Sequence, residues 1–369
     1  MVANAVRLAS FAVVACSLFS VVARADIVVG VAAPLSGQYQ SFSQQMLFGV
    51  KAAIDNQNAK GGLGNEQLTI VSVDDGCDNA KAEEAAQKLI AAHADMVIGH
   101  FCSSPSLVGA RLYEKAGISM IAPSAVLPSL TESGLTNVVR LSTRYDAQGA
   151  FAAGRILSKR PNAKLALVDD GTPQMKEIAA SFAGTYAKQP AISASIAPDQ
   201  KDFAELVAKM KAANIDTLYI ATAATNAGRL TAQAQAAGLI LKRYGPDTLL
   251  ADQFWETSGT AGESTLVTFP FDPTISYPAK ALAADMKLLG EASDGPALPA
   301  YAAAQLYFAA AASGPHAGLA IAATLKSGAS FDTILGPMSF NTKGDSQALH
   351  FSWFSWNNGV YQTIAAESP

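Results

Sequence analysis

Histidine, cysteine and charged residues are scarce in this chain of 369 residues, and the scarcity excludes several classes of protein. Only 15% of the residues are charged, the net charge is −4 and no run of lysine or arginine occurs, so nucleic acid is not an expected partner. Half of the residues are apolar, which predicts a folded core rather than disorder. The length exceeds that of one typical core and suggests two domains.

Sequence signatures of catalysis and of metal binding are missing as well. The chain has no G-x-S-x-G elbow, no G-x-x-x-x-G-K-[ST] loop and no H-E-x-x-H motif. His100 and Cys102 are close in sequence, but no group of carboxylates or histidines accompanies them. A hydrolase that uses His100 and Ser103 as base and nucleophile stays open, with a packed histidine as the favoured alternative. We therefore expect neither an enzyme nor a cofactor.

The first 25 residues are typical of a secretory signal. Arg7 precedes a mostly apolar run over 8–22, which is too short to span a membrane comfortably. Small residues at the first and last positions of 23–25 suit signal peptidase, so we predict cleavage after Ala25 and an exported protein. A membrane anchor and a lipoprotein modified at Cys16 are the alternatives.

Cleavage would leave two cysteines, Cys77 and Cys102. Two cysteines in an oxidising compartment favour one disulfide, with two free thiols as the alternative. The disulfide would close a loop of about 25 residues, which adds roughly 3 kcal/mol of stability in the loop-entropy model.

Short apolar strands alternate with helices along the chain. Strands are predicted at 27–32, 68–73, 96–99, 118–121, 164–168, 217–221, 265–269, 351–355 and 359–363. Helices are predicted over 43–58, 79–92, 105–115, 145–158, 174–187 and 226–237, and 275–335 is mostly alanine-rich helix. Continuous apolar strands separated by helices indicate parallel sheets that are covered on both faces.

Ligands of such sheets bind beyond the carboxyl ends of the strands, so the crevice between two lobes is the expected site. Ser103 and Ser104 follow one predicted strand, and the segment 124–126 follows the next. Hydroxyls and backbone N–H groups there, aided by a helix that starts near Pro105, suit a carboxylate. Asp247 follows a Tyr-Gly-Pro turn and suits an ammonium group, although turn formation alone also explains these residue types.

Several stretches resemble the Leu/Ile/Val-binding protein family of type I periplasmic binding proteins, across essentially all of 26–369. They are APLSG at 33–37, NAKGG at 58–62, DDGCD at 74–78, VIGHFCSS at 97–104, QAAG at 235–238, GP at 336–337 and KGD at 343–345. Together they are specific for the family and less specific for its ligand.

The resemblance implies an α/β fold of two doubly wound parallel-sheet lobes joined by a three-strand hinge. After a signal peptide at 1–25, the N-terminal lobe would comprise 26–144 plus 274–354, and the C-terminal lobe 145–273 plus 355–369. The lobes would close on a solute by hinge motion. A periplasmic monomer would then deliver the solute to an ABC transporter permease at the inner membrane.

The resemblance also implies residue roles. Cys77 and Cys102 would form the disulfide. The carboxylate-and-ammonium site would comprise Ser103 and the segment Ser124, Ala125 and Val126. Asp247 stands where the family has a longer glutamate that pairs with the ligand ammonium. Phe42 and Tyr301 match aromatic residues of the pocket.

Three positions depart from the family pattern. Val126 replaces a threonine whose hydroxyl binds the ligand, and Gln174 and Ala223 replace two tyrosines of the second lobe. The resemblance as a whole nevertheless favours a branched-chain or other neutral amino acid as ligand. The departures keep an alternative open, in which the same clamp binds an amide or an aromatic acid.

Overall fold

A computed structural model describes residues 26–270, 277–288, 295–312, 314–348 and 351–364. The predicted signal peptide and the alternative lipid attachment at Cys16 lie outside these residues. None of the helices in the described ranges combines the length and the hydropathy that crossing a bilayer requires.

The first sheet contains five parallel strands in the order β2-β1-β3-β4-β5. They are β1 (Ile27–Ala33), β2 (Leu68–Asp74), β3 (Met96–Gly99), β4 (Ser119–Ala122) and β5 (Val138–Arg140). The helices between them are α1 (Gln40–Ala59), α2 (Asn79–Ala91), α3 (Ser103–Lys115) and the short α4 (Ser129–Glu132). Strands β3 and β4 are buried at every position, which explains why their sequences are continuously apolar.

The second sheet begins with five parallel strands: β6 (Leu165–Asp169), β7 (Ile192–Ser195), β8 (Thr217–Ala221), β9 (Lys242–Gly245) and β10 (Leu266–Pro270). Its helices are α5 (Ala147–Lys159), α6 (Pro173–Tyr186), α7 (Ala204–Ala212), α8 (Ala224–Ala236) and α9 (Asp252–Ser258).

The chain then returns to the first sheet with α10 (Tyr277–Leu288), α11 (Ala297–Ala312), α12 (Ala320–Leu325) and the hairpin of β11 (Phe331–Thr333) and β12 (Gly336–Met338). Two antiparallel strands, β13 (Phe351–Asn357) and β14 (Val360–Thr363), complete the second sheet in the order β14-β13-β10-β9-β8-β6-β7.

Each sheet has a hydrophobic core on both faces. In the first lobe α1 and α11 pack on one face, and α2 and α3 on the other. In the second lobe α7 and α8 cover one face, and α5 and α6 the opposite one. The predicted fold class of two doubly wound α/β lobes is confirmed.

Helix α11 shows how closely the first lobe is packed. Eleven of its sixteen residues are buried, on nearly every side of the helix. A Cβ at Gly49 of α1 would come within 2.1 Å of the carbonyl oxygen of Ala297. Glycine therefore permits the close approach of the two helices.

Two differences from the sequence predictions concern the strands. The strands β5, β7 and β9 are not in the predicted pattern: β5 has only three residues, β7 alternates between half-buried and exposed residues, and β9 begins with two charged residues. Strand β13 pairs with β10 from Phe351 onward, slightly before the predicted lobe boundary at 355. The residue-level lobe boundaries stay a prediction.

Candidate functional site

Two turns of the first lobe are bound to each other at the carboxyl ends of β3 and β4. The hydroxyl of Ser103, the first residue of α3, accepts a hydrogen bond from the backbone N–H of Val126 at 2.9 Å. The hydroxyl of Ser124 donates to the carbonyl oxygen of Phe101 at 3.0 Å. The structure therefore brings together Ser103 and the segment 124–126, and the Ser103 hydroxyl retains its own proton for donation.

An aromatic surface adjoins these turns. Phe42 of α1 stacks on Phe101 with ring centroids 5.7 Å apart and an interplanar angle of 11°. Tyr39 contacts the same ring of Phe101 at 6.1 Å. Because 42% of Phe42 is exposed, its ring is available to an apolar group of a solute.

Two predicted first-lobe residues have other contacts. The exposed hydroxyl of Ser104 donates to the side chain of Asn79 in α2 at 2.8 Å. The Tyr301 hydroxyl accepts a hydrogen bond from Asn56 at 2.9 Å. Since Asn56 lies about 21 Å further along α1 than Phe42, the structure does not bring Tyr301 to the turns that carry Ser103.

Asp247 begins a short 3₁₀ turn after β9 in the second lobe. Its half-buried carboxylate accepts a hydrogen bond from the side-chain amide nitrogen of Gln148 at 3.0 Å, and its backbone N–H donates to the side-chain amide oxygen of Gln148 at 3.0 Å. The hydroxyl of Thr268 donates to the same Gln148 oxygen at 2.7 Å. Gln148 is a further candidate for the site that the sequence did not indicate, because it lies 99 positions from its partner.

Burial raises the pKa of Asp247 above the ordinary aspartate value, and the hydrogen bonds from Gln148 and from the backbone of Thr248 oppose this shift only partly. Hydrogen bonds alone lower this pKa, and within the described ranges no cationic side chain contributes to the shift. A cation placed beside Asp247 would therefore replace solvation that the carboxylate has lost.

The other two predicted site residues of the second lobe are exposed and lie where helices begin. Gln174 is the second residue of α6, and Ala223 precedes α8. The Ala223 N–H donates to the carboxylate of Asp170 at 2.9 Å, and Asp170 also accepts from the N–H and hydroxyl of Thr172. Asp170 thus holds the two helix starts together at the sheet edge that Asp247 shares.

The first-lobe turn reaches the second lobe directly. Val126 and Leu127 pack against the second-lobe core that includes Tyr145, Tyr244 and Trp353. The backbone N–H of Tyr145 donates to the carbonyl oxygen of Val126 at 3.2 Å. The segment 124–127 therefore lies at the junction of the lobes, where hinge motion would change its surroundings.

A buried ion pair lies behind this segment. Arg140 is fully buried and donates from two nitrogens to Asp345, one of them at 3.1 Å. The same guanidinium donates to the Thr131 hydroxyl and to the carbonyl oxygen of Leu127. A pocket of about 510 Å³ opens beside the pair, and its walls include Arg144, Phe151, Asn341 and Phe351.

The arrangement does not favour hydrolysis by His100 and Ser103. One ring nitrogen of His100 lies 2.6 Å from Asp75 and the other 3.2 Å from the hydroxyl of Tyr113. Both nitrogens are thus occupied, and the Ser103 hydroxyl is bonded to Val126 instead. His100 is packed in the interior, beside the predicted disulfide of Cys77 and Cys102, which is confirmed with Cα atoms 5.5 Å apart.

Metal ligands are not clustered either. Across the described ranges, no group of three or more histidine, cysteine, aspartate or glutamate side chains is placed to hold a metal ion.

Comparisons with known proteins agree with this architecture. The family model of the periplasmic binding protein matches residues 26–355. The Leu/Ile/Val-binding protein homolog 2 of Brucella abortus is 32% identical over 339 residues, which are 91% of each chain. The leucine-specific-binding protein of Salmonella typhimurium is 32% identical over 348 residues, 92% of this chain and 93% of that relative.

Solved structures show the same fold at lower identity. The branched-chain amino acid transporter substrate binding protein of Streptococcus pneumoniae, in complex with isoleucine, has a TM-score of 0.65 and 23% identity, and covers 92% of this chain and 99% of that one. A solute binding protein of R. palustris in complex with benzoate has a TM-score of 0.61 and 22% identity, with coverages of 92% and 96%.

Proposed function

Because the chain belongs to the periplasmic binding protein family, we propose that it is the solute-binding component of an amino-acid ABC import system. Its solute would be a branched-chain or another neutral amino acid. The observation that carries this proposal is a hydroxyl-lined turn at Ser103 on the first lobe and a half-buried carboxylate at Asp247 on the second. These are one group for each end of a zwitterion.

The first-lobe half suits the carboxylate of an amino acid. The Ser103 hydroxyl can donate to it, and the N–H groups at the start of α3 carry the positive end of the helix dipole. The exposed ring of Phe42 offers an apolar surface to the side chain. Asp247, on the second lobe, would take the ammonium group when the hinge closes.

A second candidate is an amide or an aromatic acid. It is favoured by Val126, which lacks a hydroxyl, and by the exposed Gln174 and Ala223, which leave room for a larger solute. The R. palustris relative in complex with benzoate is compatible with it. We rank it second because an aromatic acid would leave Asp247 desolvated and without a cation.

The proposal includes the steps around binding. Export with cleavage after Ala25 would place a monomer in the periplasm. Lobes formed by 26–144 plus 274–354 and by 145–273 plus 355–369 would close together on the solute. The closed form would dock on a permease at the inner membrane. Family membership is the support for these steps.

Calorimetric titration tests the proposal. The mature protein is unfolded, dialysed and refolded to remove any solute, and is then titrated with leucine, isoleucine, valine, phenylalanine, glutamine, benzoate and 4-hydroxybenzoate. We expect saturable one-to-one binding of at least one amino acid. Binding of an aromatic acid without binding of any amino acid would replace the first candidate with the second. Mass spectrometry of the solute that copurifies with the protein is the independent check.

A further inference from the structure

A chain of three buried polar residues lies beneath the first-lobe turns. Nδ1 of His100 is 2.6 Å from a carboxylate oxygen of Asp75, and Nε2 is 3.2 Å from the hydroxyl oxygen of Tyr113. All three side chains are completely buried. Buried polar groups that lose water destabilise a protein unless each has a partner, and in this chain of contacts each does.

The same residues fix the backbone that leads to Ser103. The second carboxylate oxygen of Asp75 accepts a hydrogen bond from the N–H of Cys77 at 2.9 Å, so Asp75 holds both His100 and the start of the disulfide loop. The Ser106 hydroxyl faces the carbonyl oxygens of His100 at 3.1 Å and Cys102 at 2.8 Å. The segment 100–102 is therefore held by Asp75, the residue that follows β2, by side chains of α3 and by the disulfide.

Helix α3 is adapted to the imidazole. A Cβ at Gly109 would come within 2.2 Å of Nε2 of His100. Glycine weakens a helix interior, so its presence here is explained by the space that the contact between His100 and Tyr113 needs. The packing of the first lobe therefore depends on the imidazole of His100 at this position.

The hydrogen-bond roles follow from the chemistry of the partners. Burial, and secondarily the charge of Asp75, raise the pKa of Tyr113, so the phenol keeps its proton. The tautomer with a proton on Nδ1 matches these partners, because Nδ1 then donates to the carboxylate of Asp75 and Nε2 accepts from the hydroxyl of Tyr113. Every polar side-chain atom of Asp75, His100 and Tyr113 therefore has a hydrogen-bond partner.

We propose that Asp75, His100 and Tyr113 are positioning residues of the solute site, which hold the segment 100–103 in its binding conformation before the solute arrives. These three residues act through Phe101 and Ser103. They orient the ring that stacks on Phe42 and the hydroxyl that faces the solute. This role rests on the proposed function. It predicts that the first-lobe half of the site is ordered in the unliganded protein and loses that order when the imidazole is removed.

The test compares three variants of the mature protein. His100→Leu removes both contacts, whereas His100→Asn places an amide nitrogen where Nδ1 was and can still donate to Asp75. Asn137→Leu is the matched control: Asn137 is also fully buried in the first lobe, but it donates to Ala110 and Ile118 rather than to the segment 100–103.

Three quantities are measured: the melting temperature, the dissociation constant for the tightest amino acid of the panel, and amide hydrogen exchange over 100–104 without solute. For His100→Leu we expect about tenfold weaker binding and faster exchange. For His100→Asn we expect wild-type exchange and binding within about threefold of wild type. The control should lower the melting temperature and leave binding and local exchange unchanged.

Wild-type affinity in His100→Leu would overturn the proposal. So would a loss of affinity that is proportional to the drop in melting temperature in every variant, including the Asn137→Leu control. Should His100→Leu fail to fold, Tyr113→Phe replaces it, with faster exchange over 100–104 expected and unchanged exchange contradicting the proposal. If the wild type binds no amino acid, the proposed function fails. The exchange result without solute still decides whether the three residues order the segment.

Discussion

Replacing Asp247 by asparagine should weaken solute binding and stabilise the unliganded protein at the same time. Asparagine keeps the shape of the side chain and an oxygen that can accept the hydrogen bond from Gln148. It removes the negative charge and replaces the second carboxylate oxygen, an acceptor, by an amide NH2 donor. Asp247→Asn therefore tests the charge rather than the packing of the site.

The loss of affinity can be estimated from the partner that would be left unpaired. Removing one member of a desolvated charge pair at an interface costs about 2–5 kcal/mol, which corresponds to roughly 30- to 4,000-fold in the dissociation constant. A value inside this range supports the pairing of Asp247 with a ligand ammonium. The exposed Asp252, in the first turn of α9, gives the control Asp252→Asn, which should bind as the wild type does.

The gain in stability follows from the raised pKa of Asp247. The folded protein favours the protonated carboxyl more than the unfolded chain does, so the stabilising contribution is complete below the ordinary aspartate pKa. It is lost as the pH rises through the raised folded-state pKa. At neutral pH the ionised carboxylate therefore lowers the stability of the unliganded protein, and asparagine avoids that cost.

The assay is thermal unfolding without solute, at neutral pH and below about pH 4, together with calorimetric titration. Asp247→Asn should melt above the wild type at neutral pH, and the difference should disappear in acid. Unchanged affinity would refute the ammonium pair and favour the amide or aromatic acid. A lower melting temperature at neutral pH would refute the argument from burial.

Three further changes have defined outcomes. Solute affinity should fall as the pH drops through the raised pKa of Asp247, because a protonated carboxyl cannot pair with an ammonium group; titrations across a pH series measure this, and a flat profile contradicts it. Replacing both Cys77 and Cys102 by serine should lower the free energy of unfolding by roughly 3 kcal/mol, read from denaturant curves with the oxidised wild type as control. Arg140→Met removes the buried partner of Asp345 but leaves Arg144 3.6 Å from its carboxylate, so it should lower that free energy by at most about 3–5 kcal/mol; an unchanged free energy of unfolding would contradict a stabilising role of the pair.

The sequence predicts the alternation of strands and helices because the central strands are buried on both faces. Strands β3 and β4 are apolar throughout for that reason. Strand β9 escapes the pattern because it starts with Lys242 and Arg243, and the Arg243 guanidinium is satisfied by the hydroxyl of Thr265 and the carbonyl oxygen of Glu263. Such distant partners leave no periodic signal in a sequence.

One helix boundary matters for the site. The sequence predicts a helix from Pro105, whereas α3 begins at Ser103. Proline fits the first turn of a helix, because its missing N–H would have no partner there. The earlier start places Ser103 itself at the helix N-terminus, where N–H groups are free to meet an anion.

The site was predictable where it depends on the ends of neighbouring strands and not where it depends on distant pairs. Ser103 and the segment 124–126 follow adjacent parallel strands and therefore meet. Tyr301 was assigned through the resemblance alone, and the bond to Asn56 places its hydroxyl elsewhere along α1. Gln148 could not be predicted from the sequence, because its role depends on the contact between α5 and the turn at Asp247, which only the fold brings together.

The two halves of the site differ in what they contribute to stability. The first-lobe half is fixed by the disulfide and by satisfied buried groups, so the proposed binding of a carboxylate at Ser103 would lose little ordering entropy. The second-lobe half holds Asp247, a carboxylate that burial destabilises until a cation arrives. Under the proposed function, a solute that carries an ammonium group would relieve that cost only when the lobes meet. Differential affinity for the closed state is what shifts an open–closed equilibrium, so the charge on Asp247 would couple solute recognition to hinge closure.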